Sequence, residues 1–207
     1  MTSVLDLAPV IPVVVLENAG DAVPLARALV AGGLPAVEIT LRTPAAVDGI
    51  RAIAREVPDA VVGAGTVLTP EQADAARAAG AGFLISPGWT ARLLDAMRAS
   101  GLPFLPGVST ASEALGLLEL GVTDMKFFPA EAAGGVNYLR SLASPLPRAR
   151  FCPTGGIDAA RAPEYLALPN VPCVGGTWMI PQAALRERAW EKITELARGA
   201  AALGGAG

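Results

Sequence analysis

Lys126 is the side chain in this sequence whose surroundings point most directly to chemistry. The chain contains two lysines and fourteen arginines, and Lys126 lies in the apolar run Met125–Pro129. Burial disfavours the charged form of an amine, and a neutral lysine amine attacks ketone carbonyls to form a Schiff base. A lysine can also rest its stem on aromatic rings and keep its ammonium in water without any chemical role. This run alone leaves both interpretations open.

Glu38 is the candidate proton-transfer group. The segment Glu38-Ile39-Thr40-Leu41-Arg42 alternates, which places Glu38, Thr40 and Arg42 on one side of a predicted strand. Imine formation needs a group that moves protons, and a carboxylate is the obvious one because the chain contains no histidine. Arg42 would then hold a substrate carboxylate bidentately. The alternative is that Glu38 pairs with an arginine in a structural network.

Two glycine pairs lie at the ends of the last two predicted strands, each beside a hydroxyl. They are Gly155-Gly156 after Thr154, and Gly175-Gly176 before Thr177. Glycines let backbone N–H groups approach phosphate oxygens, a common arrangement in this part of a barrel. Either pair alone could equally serve a tight turn or close packing. Two pairs at the ends of successive strands favour a phosphate site.

The elements that must position these groups form a repeating pattern. Short β-branched runs alternate with alanine-rich segments eight times, at spacings of about 20 to 25 residues. The predicted strands are 10–16, 36–40, 61–65, 83–86, 104–108, 124–128, 150–154 and 173–177. The predicted helices are 21–32, 44–57, 69–79, 90–100, 110–120, 135–143, 158–167 and 181–202. The segments Thr43-Pro44, Thr69-Pro70-Glu71 and Ser109-Thr110-Ala111-Ser112-Glu113 are typical of helix N-caps.

Eight βα units predict an α/β fold, a single (β/α)₈ TIM barrel over residues 1–207. A short N-terminal arm (about 1–9) and a Gly/Ala-rich C-terminal tail (about 199–207) flank the repeats. In such a barrel the carboxyl ends of the strands carry the active site, where Lys126, Glu38 and both glycine pairs fall. An open doubly wound sheet is the alternative.

Composition excludes several classes of function. With 52% hydrophobic residues, 17% charged residues and a net charge of −3, the chain suits one substantial core and offers no basic stripe for nucleic acid. The apolar runs are strand-sized and too short to span a membrane, and the N-terminus lacks the features of a secretory signal. We expect a small-molecule partner and a cytoplasmic location. The absence of histidine removes serine–histidine triads and histidine-based metal sites.

The two cysteines, Cys152 and Cys173, are too few for a disulfide framework. Each lies in an apolar, strand-like run, where a free thiol behaves as a small hydrophobic side chain. We therefore assign them a structural role.

The sequence resembles a family of pyruvate-dependent class I aldolases, those for 2-keto-3-deoxy-6-phosphogluconate (KDPG) and 4-hydroxy-2-oxoglutarate (KHG), over almost its whole length. The segments that carry the resemblance are Ala31-Gly32-Gly33, Glu38-Ile39-Thr40-Leu41-Arg42-Thr43, Val62-Gly63-Ala64-Gly65-Thr66-Val67, Ile85-Ser86-Pro87-Gly88, Pro106-Gly107-Val108-Ser109-Thr110, Lys126-Phe127-Phe128-Pro129-Ala130-Glu131 and Phe151-Cys152-Pro153-Thr154-Gly155-Gly156-Ile157. One departure stands at the last strand, where the family pattern Gly-Gly-Ser-Trp reads Gly175-Gly176-Thr177-Trp178. Thr177 keeps a hydroxyl donor and adds a methyl group.

The resemblance implies a Schiff-base aldolase that cleaves KDPG to pyruvate and D-glyceraldehyde 3-phosphate in the Entner–Doudoroff pathway. It leaves open activity on KHG or on the galactonate epimer of KDPG. More distant alternatives are a phosphosugar isomerase or synthase that uses Lys126 without covalent chemistry, and a barrel that only binds phosphosugars.

The resemblance also implies a role for each matching residue. Lys126 forms the imine and Glu38 is the general acid–base group, acting through a water. The substrate-binding residues are Arg42 and Thr66 for the pyruvate carboxylate, Phe128 beside the imine, Pro87 in the pocket lining, Thr154 near the reacting carbons, and Gly155, Gly156, Gly176 and Thr177 for the phosphate.

No metal or cofactor is implied by the resemblance, and the implied assembly is a homotrimer. The sequence itself does not identify an interface. An interface or ordinary packing would equally explain the apolar residues Trp89, Trp178, Met179 and Ile180.

Overall fold

The protein is described by a computed structural model that covers residues 3–205. Its strands are β1 (Val10–Val14), β2 (Ala36–Thr40), β3 (Val61–Gly65), β4 (Leu84–Ile85), β5 (Phe104–Leu105), β6 (Gly107–Val108), β7 (Asp124–Phe127), β8 (Arg150–Pro153) and β9 (Val174–Gly176). Its α-helices are α1 (Ala22–Ala31), α2 (Ala46–Glu56), α3 (Pro70–Ala78), α4 (Ala91–Ala99), α5 (Ala111–Glu119), α6 (Gly135–Ala143), α7 (Ala162–Leu166), α8 (Gln182–Arg186) and α9 (Trp190–Ala201). Short 3₁₀ helices occupy Val4–Asp6, Ala19–Asp21 and Ala202–Gly205.

The strands run parallel in a curled sheet. One part has the order β5-β4-β3-β2-β1-β9 and the other β6-β7-β8. A single parallel bridge from Thr154 to Gly175 connects the end of β8 to β9. The predicted strand 104–108 is divided into β5 and β6 at Pro106, which has no N–H to donate to a neighbouring strand. The observed architecture is an α/β fold built on a parallel sheet.

Two hydrophobic clusters lie on opposite faces of the sheet. The larger cluster packs the helices against outward-facing strand residues such as Val37, Ile39 and Phe127. The smaller one, enclosed by the strands, contains Ile11, Phe83 and Leu105, among others. Because strand side chains alternate, the residues that continue the inner face beyond this small core line the carboxyl ends of the strands.

The N-terminal arm packs against the inner cluster. Val4 and Leu5 are buried there, and Ser3 caps the short helix that carries them by accepting a hydrogen bond from the Leu5 N–H. Within the predicted C-terminal tail, residues 199–201 end α9 and residues 202–205 form a 3₁₀ helix. Residues 1–2 and 206–207 of the predicted arm and tail lie outside the described residues.

The structure corrects the last predicted helix. Residues 181–202 form two helices, α8 and α9, instead of one. Arg188 between them is left-handed, with φ 53°, and its Nε lies 2.9 Å from a carboxylate oxygen of Asp21. A left-handed residue cannot continue a right-handed helix, so the chain turns here. The predicted helix 158–167 is also shorter, because only Ala162–Leu166 is α-helical.

Two of the three predicted helix caps are confirmed. The Thr69 and Thr110 side chains accept hydrogen bonds from the N–H groups of the third residue beyond each, and Thr110 forms a complete capping box with Glu113. The prediction at Thr43 is wrong, since α2 begins at Ala46 without a side-chain cap. The Thr43 hydroxyl instead donates to the Leu16 carbonyl oxygen.

Two further expectations concern surfaces. Met179 and Ile180, named above as apolar candidates for an interface, are buried within the core of the single chain. Helix packing therefore accounts for both. None of the helices between residues 3 and 205 combines the length and apolar character that a membrane span requires.

Candidate active site

Lys126 and Glu38 form a buried pair at the carboxyl end of the inner face. The lysine Nζ lies 3.3 Å from Oε1 of Glu38, and the two side chains are only 4% and 2% exposed. Strand β7 presents Lys126 inward while its neighbours Met125 and Phe127 pack against the helices. Removing one partner would leave a buried charge uncompensated, which costs several kcal/mol. At this separation the two groups can exchange a proton directly or through one water.

Phe128 lies beside the amine. Its ring centroid is 5.3 Å from the Lys126 Nζ, a distance at which the face of an aromatic ring attracts a cation. The ring is half-buried, so it covers the amine and still borders the space where a substrate would approach. The predicted proximity of Phe128 to Lys126 is observed.

Gly65 makes room for the Glu38 carboxylate. A Cβ on Gly65 would lie closer than 3.0 Å to Oε1 of Glu38, nearer than real Cβ atoms come to another heavy atom. From the sequence, Gly65 is predicted at a strand end, without a role. Its signal was the run Gly63-Ala64-Gly65, in which both inward positions of one strand lack a side chain. The other inward glycine, Gly63, makes room for the Phe83 ring.

Arg42 and Thr66 are brought together at the mouth of the same face. The Arg42 Nε donates to the Thr66 Oγ1 over 3.0 Å, and the guanidinium is exposed. Thr66 has φ 56°, which is strained for a β-branched residue. Such strain costs on the order of 1–3 kcal/mol and is concentrated at functional sites. The arrangement offers a hydroxyl and a guanidinium to one carboxylate.

Thr40 does not join this polar group. Although it shares the inward side of β2 with Glu38, its hydroxyl donates to the Val14 carbonyl oxygen over 2.8 Å and is fully buried. The prediction that Thr40 lies on the same side of the strand as Glu38 is confirmed, but its hydroxyl bonds to the neighbouring strand and is not available to a substrate.

Pro87 and Thr154 follow the carboxyl ends of β4 and β8. Pro87 is half-buried and follows β4, and a Cβ on Gly107 would collide with its backbone. Thr154 is buried, directly after β8, two residues beyond Cys152, which pairs with Lys126 in the sheet register. A Cβ on Gly175 would in turn collide with the Thr154 hydroxyl. Glycines on neighbouring strands thus fix both positions.

The residues expected at a phosphate lie at the carboxyl ends of the neighbouring strands β8 and β9. Gly155 and Gly156 are both left-handed, with φ 107° and 80°, so they form the kind of turn that presents backbone N–H groups. On Gly176 a Cβ would collide with the Trp178 ring. The missing side chain of Gly176 is therefore explained by packing. Thr177 is exposed, and its hydroxyl is accessible.

The two cysteines lie in the small inner core below the site. Both are free and buried. A hydrogen bond with Cys152, together with burial, raises the pKa of the Cys173 thiol well above its ordinary value. A thiol held in its neutral form is a poor nucleophile.

Comparisons with known proteins agree with this geometry. The family model described as KDPG and KHG aldolase matches residues 1–196. The chain is 52% identical to the "KHG/KDPG aldolase" of Escherichia coli (strain K12) over 196 residues, which is 95% of this chain and 92% of that one. It is also 52% identical to the "2-dehydro-3-deoxy-phosphogluconate aldolase" of Pseudoalteromonas atlantica, covering 94% and 90% of the two chains.

A solved structure shows the same fold and a related chemistry. It is the KDPG aldolase from Legionella pneumophila, with pyruvate captured at low pH as a covalent carbinolamine intermediate. That chain superimposes with a TM-score of 0.93 at 47% identity, over 95% of this chain and 96% of the other. The buried lysine–glutamate pair lies at the end of a parallel sheet in a chain that matches this family over nearly its whole length. The protein therefore belongs to the KDPG and KHG aldolase family, a family of carbon–carbon lyases.

Proposed function

We propose that this protein is a class I aldolase that cleaves KDPG to pyruvate and D-glyceraldehyde 3-phosphate through a Schiff base on Lys126. The observation that carries the proposal is the buried contact of 3.3 Å between Lys126 and Glu38. It is supported by the Legionella pneumophila relative, whose structure holds pyruvate as a covalent carbinolamine.

In this mechanism the neutral Lys126 amine attacks the C2 ketone of the substrate and gives a carbinolamine. Glu38 helps to protonate the departing hydroxyl, which leaves as water, and the protonated imine then accepts the electron pair of the breaking C3–C4 bond. The C4 hydroxyl proton is lost as the aldehyde forms, and glyceraldehyde 3-phosphate departs. The remaining enamine is protonated at C3, and water hydrolyses the imine to pyruvate and free Lys126. Glu38 is the proton carrier in these steps.

The other polar residues orient the substrate around the amine. Arg42 and Thr66 hold the carboxylate of the pyruvate portion, since a guanidinium and a hydroxyl lie together there. Thr154 lies beside the C4 hydroxyl, with Pro87 and Phe128 as the walls. Gly155, Gly156, Gly176 and Thr177 hold the phosphate at the far end. The phosphate lies away from the breaking bond, so its binding energy contributes mainly by orientation.

The same chemistry fits substrates that differ in the aldehyde portion. KHG and the galactonate epimer of KDPG share the 2-keto acid that Lys126 and Arg42 would engage. We rank the two phosphorylated substrates above KHG because the loop of Gly155 and Gly156 has the left-handed backbone that suits a phosphate. We rank KDPG above its epimer because relatives about 52% identical to this chain are named for the gluconate-derived substrate.

The proposal includes a closed eight-stranded barrel, in which β5 and β6 act as one strand. It is supported by the bridge between Thr154 and Gly175 and by the single residue that separates β5 from β6. It also includes the cytoplasmic homotrimer and the Entner–Doudoroff pathway, which rest on family membership. Sedimentation equilibrium tests the trimer.

The experiment is reductive trapping. Incubation with pyruvate and borohydride should reduce an imine to a stable secondary amine, found by mass spectrometry on the peptide that contains Lys126. The matched control is Lys192→Met, because Lys192 is the other lysine of the chain and lies exposed on α9. Lys192→Met should keep the adduct and Lys126→Met should lose it together with KDPG cleavage. An unlabelled wild-type protein that still turns over KDPG would support the non-covalent phosphosugar alternative.

A further inference from the structure

The loop of Thr154, Gly155 and Gly156 is held from one side through its carbonyl oxygens. The Thr154 oxygen accepts from the Ala130 N–H over 2.8 Å, and the Gly155 oxygen from the Glu131 N–H over 3.1 Å. The Gly156 oxygen accepts from Nη1 of Arg161 over 3.1 Å. A peptide unit is planar and trans, so its N–H points opposite to its carbonyl oxygen. Fixing these three oxygens therefore fixes the directions of the three N–H groups that follow them.

Arg161 is the one side chain among these three donors. Its Nε lies 3.5 Å from Oε2 of Glu131, so a single guanidinium reaches the loop and the residue that supports it. The other carboxylate oxygen of Glu131 accepts a hydrogen bond from the Tyr165 hydroxyl. Exposed ion pairs contribute little to stability, and Arg161 is about half exposed. Its geometry suits orienting a peptide better than stabilising the fold.

We propose that Arg161 is a positioning residue for phosphate recognition, which acts by fixing the peptide between Gly156 and Ile157. This inference rests on the proposed function and adds to it a residue outside the glycine loops. The fork of the guanidinium is essential, because it donates in two directions at once. A lysine keeps the charge, but its single ammonium cannot contact both the Gly156 carbonyl oxygen and the Glu131 carboxylate.

Arg140 offers a matched control. Arg140 and Arg161 line the same polar cavity of about 430 Å³ beside the loop, and both are exposed. The hydrogen bond of the Arg140 side chain goes to Oδ1 of Asn137 on its own helix, and the loop is not its partner. Arg140→Ala therefore removes the same charge from the same cavity and leaves the loop anchored.

The test compares Arg161→Ala, Arg161→Lys and Arg140→Ala with the wild type on KDPG and on unphosphorylated KHG. Both Arg161 variants should raise KM for KDPG about 5- to 10-fold, the effect of one lost hydrogen bond, and should weaken inhibition of KHG cleavage by inorganic phosphate. The value of kcat for KDPG should change less than KM does, because a loosened loop also orients the bound substrate less well, and both constants for KHG should stay within about 2-fold. Arg140→Ala should match the wild type.

Three outcomes would overturn the inference. If Arg140→Ala and Arg161→Ala have equal effects, only the net charge of the cavity matters. Kinetics of Arg161→Lys equal to those of the wild type would lead to the same conclusion. Equal losses on KDPG and KHG would mean a general structural role. If the wild type cleaves neither substrate, the proposed function fails, and the inference is decided by titration with inorganic phosphate followed by phosphorus NMR. Weaker phosphate binding in Arg161→Ala would then support it, and equal or absent binding would refute it.

Discussion

Gly65 and Glu38 lie on adjacent strands, and the carboxylate of Glu38 occupies the space that a side chain on Gly65 would need. A Cβ there would come closer than 3.0 Å to Oε1, Cγ and Cδ of Glu38. The inner face is closely packed around Glu38, which has only 1% of its surface exposed. The position of the proposed acid–base group is therefore set by an absent side chain on the neighbouring strand.

Gly65→Ala should abolish most of the activity and leave the fold in place. The added methyl group forces the Glu38 carboxylate away from Lys126, and a displacement of about 1 Å in a catalytic group can cost about 10²-fold in rate. Steady-state kinetics on KDPG measures the loss. The control is Gly88→Ala, since a Cβ on Gly88 meets no atom within 4 Å. Similar kcat values for the two variants would contradict the packing argument.

The strand positions, and the residues of each strand that share a face, could be predicted from the sequence. Alternation along a strand needs only local information. Glu38 and Arg42 were placed from a single segment in this way. What Gly65 does for Glu38 was not predictable, since it depends on the contact between two strands. The division of the last helix at Arg188 was missed for a similar reason: its left-handed backbone accompanies an ion pair with Asp21, far away in the sequence.

Glu38→Gln should slow turnover and spare covalent binding of pyruvate. The amide nearly keeps the shape of the carboxylate but cannot carry a proton, so kcat should fall by roughly 10²- to 10⁴-fold. Lys126 remains, so borohydride with pyruvate should still label its peptide after long incubation. Rapid-quench kinetics separates imine formation from cleavage. Turnover within about 3-fold of the wild type would assign proton transfer to another group.

Thr66→Gly should make the protein more stable and less active. Glycine adopts φ 56° without the strain that threonine carries, so the free energy of unfolding should rise by about 1 kcal/mol. The hydroxyl that accepts from Arg42 is lost, so KM for KDPG should increase. Thr66→Ala is the control, because alanine lacks the hydroxyl but keeps a Cβ at a position with left-handed backbone, and so keeps the strain. Urea unfolding should rank the two variants with glycine above alanine, and the reverse order would show that Thr66 is not strained.

The two cysteines should resist thiol reagents in the native protein. The hydrogen bond with Cys152 and burial raise the pKa of the Cys173 thiol, and Cys152 is also buried. The thiolate is the reactive form and neither sulfur is accessible. Ellman's reagent at pH 8 should therefore detect no thiol until denaturant is added, and then both. Fast labelling of the native protein would show that the inner core opens.

Glu113 should make the stability of the protein depend on pH in the acidic range. Partial burial raises the pKa of its carboxyl, but hydrogen bonds from Ser109 and Thr110 outweigh that effect and hold it below the ordinary value of 4.5. A lowered pKa means that the stabilisation is complete well above 4.5 and is lost as the pH falls through the folded-state value.

Glu113→Gln should cost about 1 kcal/mol at pH 7 through the weakened capping box, and this difference from the wild type should vanish as the carboxyl protonates. Urea unfolding from pH 7 to pH 3 measures it, and Glu119→Gln, at the other end of α5, should change the pH 7 value by less than about 0.5 kcal/mol. A constant deficit for Glu113→Gln across that range would mean that the charge of the cap is irrelevant.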